Sequence, residues 1–138
     1  YQKSWHQQVQ PYDGVADLLV EIGKRKLSTA VLTNKDQQAA EQCVQRFFPS
    51  HEFSHILGYD GTRPHKPDPT GGNWILEKLG IDEKHAMMVG DTAVDILTGK
   101  ACKMRAVGVL WGFREAAELN EAGADHILQQ PCELLALL

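Results

Sequence analysis

Cysteine is scarce in this sequence. Its three thiols, Cys43, Cys102 and Cys132, are widely spaced and include no C-x-x-C pair. Neither a disulfide framework nor a cysteine zinc site follows from so few, and a reducing, cytoplasmic compartment is the expectation. Long apolar runs are missing too. None nears the roughly 20 residues that span a bilayer, so no membrane association is expected. Clusters of basic residues are absent: 14 Lys and Arg stand against 18 Asp and Glu, a formal charge of −4. That charge pattern lacks the footprint that holds a nucleic-acid backbone, and no nucleic-acid partner is expected. There is no internal repeat, no low-complexity tract, no signal-peptide core in the polar first ten residues and no initial methionine, so a segment upstream is expected to have been removed. What remains, 43% hydrophobic residues over 138 positions, is enough to bury the core of one ordinary domain.

Helical spacings alternate with short apolar runs, the pattern of βαβ units around a parallel sheet. Val15, Leu18, Leu19 and Ile22 predict a helix over Val15–Lys24 with one apolar stripe. Residues 27–33 read as a buried strand ending in Thr33-Asn34-Lys35, and residues 36–48 as a helix stopped by Pro49 and Ser50. Ile56-Leu57-Gly58 is a short strand, residues 59–69 a proline-rich loop, and residues 71–79 a helix closed by Gly80. An apolar strand over 86–90 then runs into Asp91. After it come a helix over 94–103, a strand over 106–110, a helix over 114–122, a strand over 125–128 and a terminal helix over 132–138.

In an open parallel sheet, polar residues at the carboxyl ends of strands gather along one edge, where ligands bind. Thr33 and Asn34 stand at such an end. A hydroxyl and backbone N–H groups there, with a helix dipole behind them, outline a phosphate cradle; an ordinary helix N-cap uses the same residues. Lys66 lies in His65-Lys66-Pro67-Asp68-Pro69. Prolines on either side stiffen that loop and lower the entropy lost in holding one ammonium, though a lone loop lysine is more often solvated. Asp91 and Asp95, four residues apart where a strand turns into a helix, offer two hard oxygen donors of the kind Mg²⁺ takes beside a substrate phosphate. The bland alternative is an N-cap at Asp91 with Asp95 favoured by the dipole.

In content and in order these pieces resemble the haloacid dehalogenase superfamily of phosphohydrolases, in particular its phosphoglycolate phosphatase-like branch. Thr33 with Asn34 resembles the family's second motif, Lys66 in Lys-Pro-Asp-Pro its third, and Gly90-Asp91-Thr92-Ala93-Val94-Asp95 its fourth. Pro11-Tyr12-Asp13-Gly14-Val15 resembles the start of the core after the helical cap, and Gly108-Val109-Leu110-Trp111-Gly112-Phe113 the late strand and turn. The resemblance implies an α/β fold, a three-layer Rossmann-like parallel sheet. Residues 1–10 would be the last cap helix and its return linker, and residues 11–138 the C-terminal part of the core. It further implies a small phosphorylated metabolite as substrate and Mg²⁺ as cofactor. Thr33 and the Asn34 backbone would hold phosphate oxygens, and Lys66 would neutralise phosphate and nucleophile. Asp91 would ligate the metal, and Asp95 would orient its waters or Lys66.

One motif is missing. The family's Asp-x-Asp-Gly-Thr, which carries the aspartate nucleophile on the central strand, has no counterpart: Asp60-Gly61-Thr62 has Gly58 where the nucleophile would stand and precedes Lys66 in a loop, and Asp13-Gly14 follows no strand. The expectation is that the central first strand and most of the cap come from upstream residues or a companion chain, and that the 138 residues alone are inactive. A noncatalytic phosphate- or Mg²⁺-binding module is the competing reading. His51-Glu52-Phe53-Ser54-His55 matches the H-E-x-x-H pattern of zinc peptidases, but Pro49 and Ser50 before it and a strand after it argue against the continuous helix that pattern needs. Trp111 is a packing residue that could also border the pocket mouth, and the Leu134, Leu135, Leu137, Leu138 cluster reads as core.

Overall fold

The computed structural model describes residues 14–111 and 115–138. The expected cap helix over 1–10, Pro11-Tyr12-Asp13, the turn at Gly112-Phe113 and the start of the helix predicted from 114 lie outside the described residues. The elements in chain order are α1 Val15–Lys24, β1 Ala30–Asp36, α2 Gln37–Phe47, β2 His55–Tyr59, α3 Thr70–Leu79, β3 Met87–Gly90, α4 Ala93–Ala101, β4 Arg105–Val109, α5 Ala116–Glu121 and β5 His126–Leu128. Short 3-10 segments occupy Glu83–His85 and Pro131–Leu137.

Among the described residues every strand pairing is parallel. The strands form two separate ladders, β1 with β2 and β3-β4-β5 in that order. The two faces of β4 show why helices flank the sheet on both sides. Val107 and Val109 pack with Leu18 and Ile22 of α1, Leu128 and Leu134; Ala106, one residue before Val107 and so on the opposite face, packs with Ile96 of α4 and Leu119 of α5. Alternate residues of a strand point to opposite faces, so a fully buried strand feeds two cores and needs a helix layer over each. This is the expected α/β architecture.

Two local expectations are corrected. The strand predicted from residue 27 begins at Ala30, because α1 ends in a turn that consumes the intervening residues: Leu27 N–H donates back to Ile22 O at 3.3 Å, and Lys26 takes φ 58°. Leu27 is left 43% exposed. The terminal segment is a 3-10 helix, with Pro131 in its first turn and Gln130 capped by the Glu133 carboxylate at 2.7 Å. Leu134 from it is buried. The H-E-x-x-H stretch forms no helix: His51 shares a hydrogen bond with the Thr29 hydroxyl at 2.8 Å, and His55 opens β2 against the Trp74 ring.

Asp125 fastens β4 to the segment leading into β5. Its carboxylate accepts from Ala106 N–H at 2.8 Å and from the Lys100 ammonium at 2.9 Å. Those donors, the Ala106 amide first, hold Asp125 below its ordinary carboxylate value of 3.8. A lowered carboxylate pKa contributes stability that is present above the unfolded-state value and lost as pH falls through the folded one. Asp125→Asn is therefore expected to lower Tm at pH 7 by about 3 °C, a modest effect because the pair is solvent-exposed. Thermal scans across pH should show the gap to the parent closing below about pH 4; a gap that widens in acid would contradict this account.

Candidate active site

The end of β1 departs from its ladder. Leu32 pairs with Leu57 and pairing resumes only at Asp36 with Tyr59, so residues 33–35 stand opposite Gly58 alone. Such a bulge strands backbone groups on the partner strand, and these must find other partners. Gln37 supplies them: its Oε1 accepts from Gly58 N–H at 2.6 Å and its Nε2 donates to Ile56 O at 2.7 Å. A side chain at 58 has no room, since a Cβ would lie 2.7 Å from Lys35 O and from Gln37 Cα.

The bulge also changes the expected phosphate cradle. Thr33 and Asn34 do not open the following helix; α2 begins at Gln37, and its cap is Asp36, whose carboxylate accepts from Gln38 N–H at 3.1 Å and Ala39 N–H at 3.4 Å. The helix dipole therefore sits behind Asp36. The Thr33 hydroxyl accepts from Lys35 N–H at 3.1 Å. Even so, Thr33 and Asn34 line one shallow pocket with Tyr59, Arg63, His65 and Lys66.

Lys66 reaches across the space between the two ladders. Its ammonium donates to Leu32 O of β1 at 3.1 Å and to Asp95 Oδ1 of α4 at 2.6 Å. The two side chains are only 12% and 11% exposed. An ion pair this secluded is sustained by its geometry and by further hydrogen bonds to the carboxylate. Thr92 provides those, donating from its hydroxyl to Asp95 Oδ2 at 3.0 Å and from its backbone N–H at 3.3 Å. In return the Thr92 hydroxyl accepts from Asp95 N–H at 3.3 Å, completing a capping box at the start of α4. The Ala93 N–H in the same turn is taken by the Glu118 carboxylate of α5 at 2.8 Å.

Gly90 permits this packing. A Cβ on it would lie 2.3 Å from Asp95 Cβ and Oδ2. Asp91 follows Gly90 directly at the end of β3 and precedes Thr92, which donates to the Asp95 carboxylate. Asp91 and Asp95 thus offer hard oxygen donors on one turn, and two carboxylates with water and a phosphate are a donor set Mg²⁺ accepts. Both Asp95 oxygens accept hydrogen bonds, Oδ1 from Lys66 and Oδ2 from Thr92. Among the described residues no group of three or more His, Cys, Asp or Glu comes together.

Residues 1–109 match the profile of haloacid dehalogenase-like hydrolases. The chain belongs to that family. Phosphoglycolate phosphatase of Aliivibrio fischeri is 28% identical over 138 residues, all of this chain and 61% of the relative. N-acetylmuramic acid 6-phosphate phosphatase of Pseudomonas aeruginosa is 33% identical over 130 residues, 93% of this chain and 57% of the relative. A solved structure of a haloacid dehalogenase-like family hydrolase from Streptococcus pneumoniae superposes with a TM-score of 0.83 at 26% identity, covering 93% of this chain and 60% of that one. The chain therefore spans about three fifths of the length of the relatives it matches.

In this haloacid dehalogenase-like chain Asp60-Gly61-Thr62 is an isolated loop turn. The Asp60 carboxylate accepts from Thr62 N–H at 3.0 Å and pairs with Arg63 at 3.6 Å, and the Thr62 hydroxyl holds it below its ordinary range. Trp111 packs against the core cluster of α1, β4 and β5. Several contributors to the site escaped sequence reasoning. Thr92 was legible as Thr-x-x-Asp, the acid-ended relative of a capping box; the Gln37 amide and the Leu32 carbonyl carry no sequence signal, because their partners lie 19 to 34 residues away.

Proposed function

We propose that this chain is the C-terminal part of the core of a Mg²⁺-dependent phosphatase acting on small phosphate monoesters, phosphoglycolate-like in class, through an aspartyl-phosphate intermediate. The reading rests chiefly on the Lys66 ammonium, held between Leu32 O and Asp95 Oδ1 at the space between β1 and β3. Phosphoryl transfer asks for positioning and charge neutralisation more than for elaborate covalent steps. An ammonium in a secluded pair suits that task, because low solvent screening strengthens its field.

The nucleophile would be an aspartate on a strand from upstream residues or a companion chain, seated between β1 and β3. The unpaired edges of those strands support this: among the described residues each pairs on one side only, and Val89 of β3 is 39% exposed. An open edge beside exposed valine is a template for one more strand. In the assembled site the Thr33 hydroxyl and the Asn34 backbone would take phosphate oxygens, Lys66 would neutralise phosphate and attacking carboxylate, and Asp91 would hold Mg²⁺, with Asp95 keeping Lys66 in place. The metal, when bound, would neutralise charge on the transferring phosphoryl group. A cytoplasmic location, expected from the scarcity of cysteine, is included in the proposal; all three cysteines are free.

Turnover of p-nitrophenyl phosphate by the complete protein tests the reading. Activity is expected to disappear on chelation, to return with Mg²⁺, and to fall at least about a hundredfold in Asp91→Asn. Full activity in EDTA or in the variant would overturn the metal assignment. Saturable phosphate binding without any turnover would favour a noncatalytic module.

A further inference from the structure

Asn34 enters the proposed mechanism only through its backbone, yet its side chain makes a two-point contact that the mechanism does not use. The Asn34 Oδ1 accepts from Lys66 N–H at 2.7 Å, and Nδ2 donates to Lys66 O at 3.3 Å. Both backbone hydrogen-bonding groups of one residue are thus held by one side-chain amide, as a neighbouring strand would hold them. Lys66 lies in the loop between β2 and α3, where no ladder supports it. Asn34 can act as its partner because the bulge at residues 33–35 releases it from the β1–β2 ladder.

From this geometry we infer that the Asn34 side-chain amide is a positioning residue for Lys66. It fixes the root of the lysine while Leu32 O and Asp95 Oδ1 fix the ammonium at the other end. A long flexible side chain pinned at both ends is in place before phosphate arrives, and preorganised charge stabilises the transition state without a reorganisation cost. The effect therefore belongs on kcat. A group that contacts substrate equally in ground and transition states would act on KM. The inference rests on the phosphatase reading for its catalytic consequence, and on the amide geometry alone for the clamp.

The test uses Asn34→Ala and Asn34→Asp in the complete protein, with two readouts. Hydrogen exchange at the Lys66 amide should quicken at least about tenfold in Asn34→Ala and stay slow in Asn34→Asp, which keeps the shorter, accepting bond. For p-nitrophenyl phosphate, kcat should fall about tenfold to a hundredfold in Asn34→Ala with KM within twofold, and Asn34→Asp should recover part of the loss. Unchanged exchange in Asn34→Ala overturns the clamp. Faster exchange with kcat intact, or with the whole loss in KM, overturns the positioning role. A parent protein without turnover, but with the exchange pattern above, would bring down the phosphatase reading and the catalytic consequence while leaving the clamp established.

Discussion

Lys66→Met is expected to lower folding stability by about 3 kcal/mol and to reduce turnover of the complete protein at least a hundredfold. The methionine keeps the length and apolar stem of lysine, so the loss isolates the charge. The Asp95 carboxylate, 11% exposed, would then keep only the Thr92 donors. Stranding one partner of a secluded ion pair typically costs about 3–5 kcal/mol, because the surviving charge has neither water nor counter-ion. The same reasoning fixes the sign of a second change. Asp95→Asn placed in the Lys66→Met background should restore part of the stability, since it removes the uncompensated charge. Urea denaturation of the two single variants and the double variant would measure the coupling, expected near 2 kcal/mol; strict additivity would show that the contact contributes nothing.

Gly90→Ala should be nearly as damaging, for a steric reason. Its new methyl would have to occupy space 2.3 Å from Asp95 Cβ and Oδ2, so either β3 or the first turn of α4 must move. Overpacking of this kind costs about 1–3 kcal/mol, and here it also displaces the carboxylate that holds Lys66. Stability and kcat should therefore fall together. Gly23→Ala is the control: it lies in α1, has a negative φ, and a Cβ there meets nothing within 4 Å. Replacing it should leave stability level or raise it by up to about 1 kcal/mol, as expected for removing a glycine from a helix. Equal losses at both glycines would mean that the crowding at Asp95 is absorbed elsewhere.

The covered interior of β4 explains why the architecture could be read before any coordinates. Val107 and Val109 belong to one core, Ala106 to the other, and a run apolar at every position is the signature of a strand buried on both faces. Helices such as α1 were equally legible, because a 3.6-residue apolar stripe is a local property of the chain. Boundaries were less so. Residues 27–29 look like strand by composition, but the turn that closes α1 claims them through backbone bonds that composition does not encode.

Residue types and their order along the chain were enough to mark Thr33, Asn34, Lys66, Asp91 and Asp95, since motif spacing survives in one dimension. Their arrangement in space was settled only by folding. The sequence suggested a helix dipole behind Thr33 and Asn34, whereas the tertiary structure put Asp36 in that position and turned the Asn34 side chain onto the Lys66 backbone. It likewise committed Asp95 to Lys66, 29 residues distant, through a 2.6 Å contact that required a glycine at position 90. Helical stripes, strand alternation and caps are local in the chain. Which amide answers which stranded backbone group, and which carboxylate meets which ammonium, depends on segments far apart in sequence being packed together.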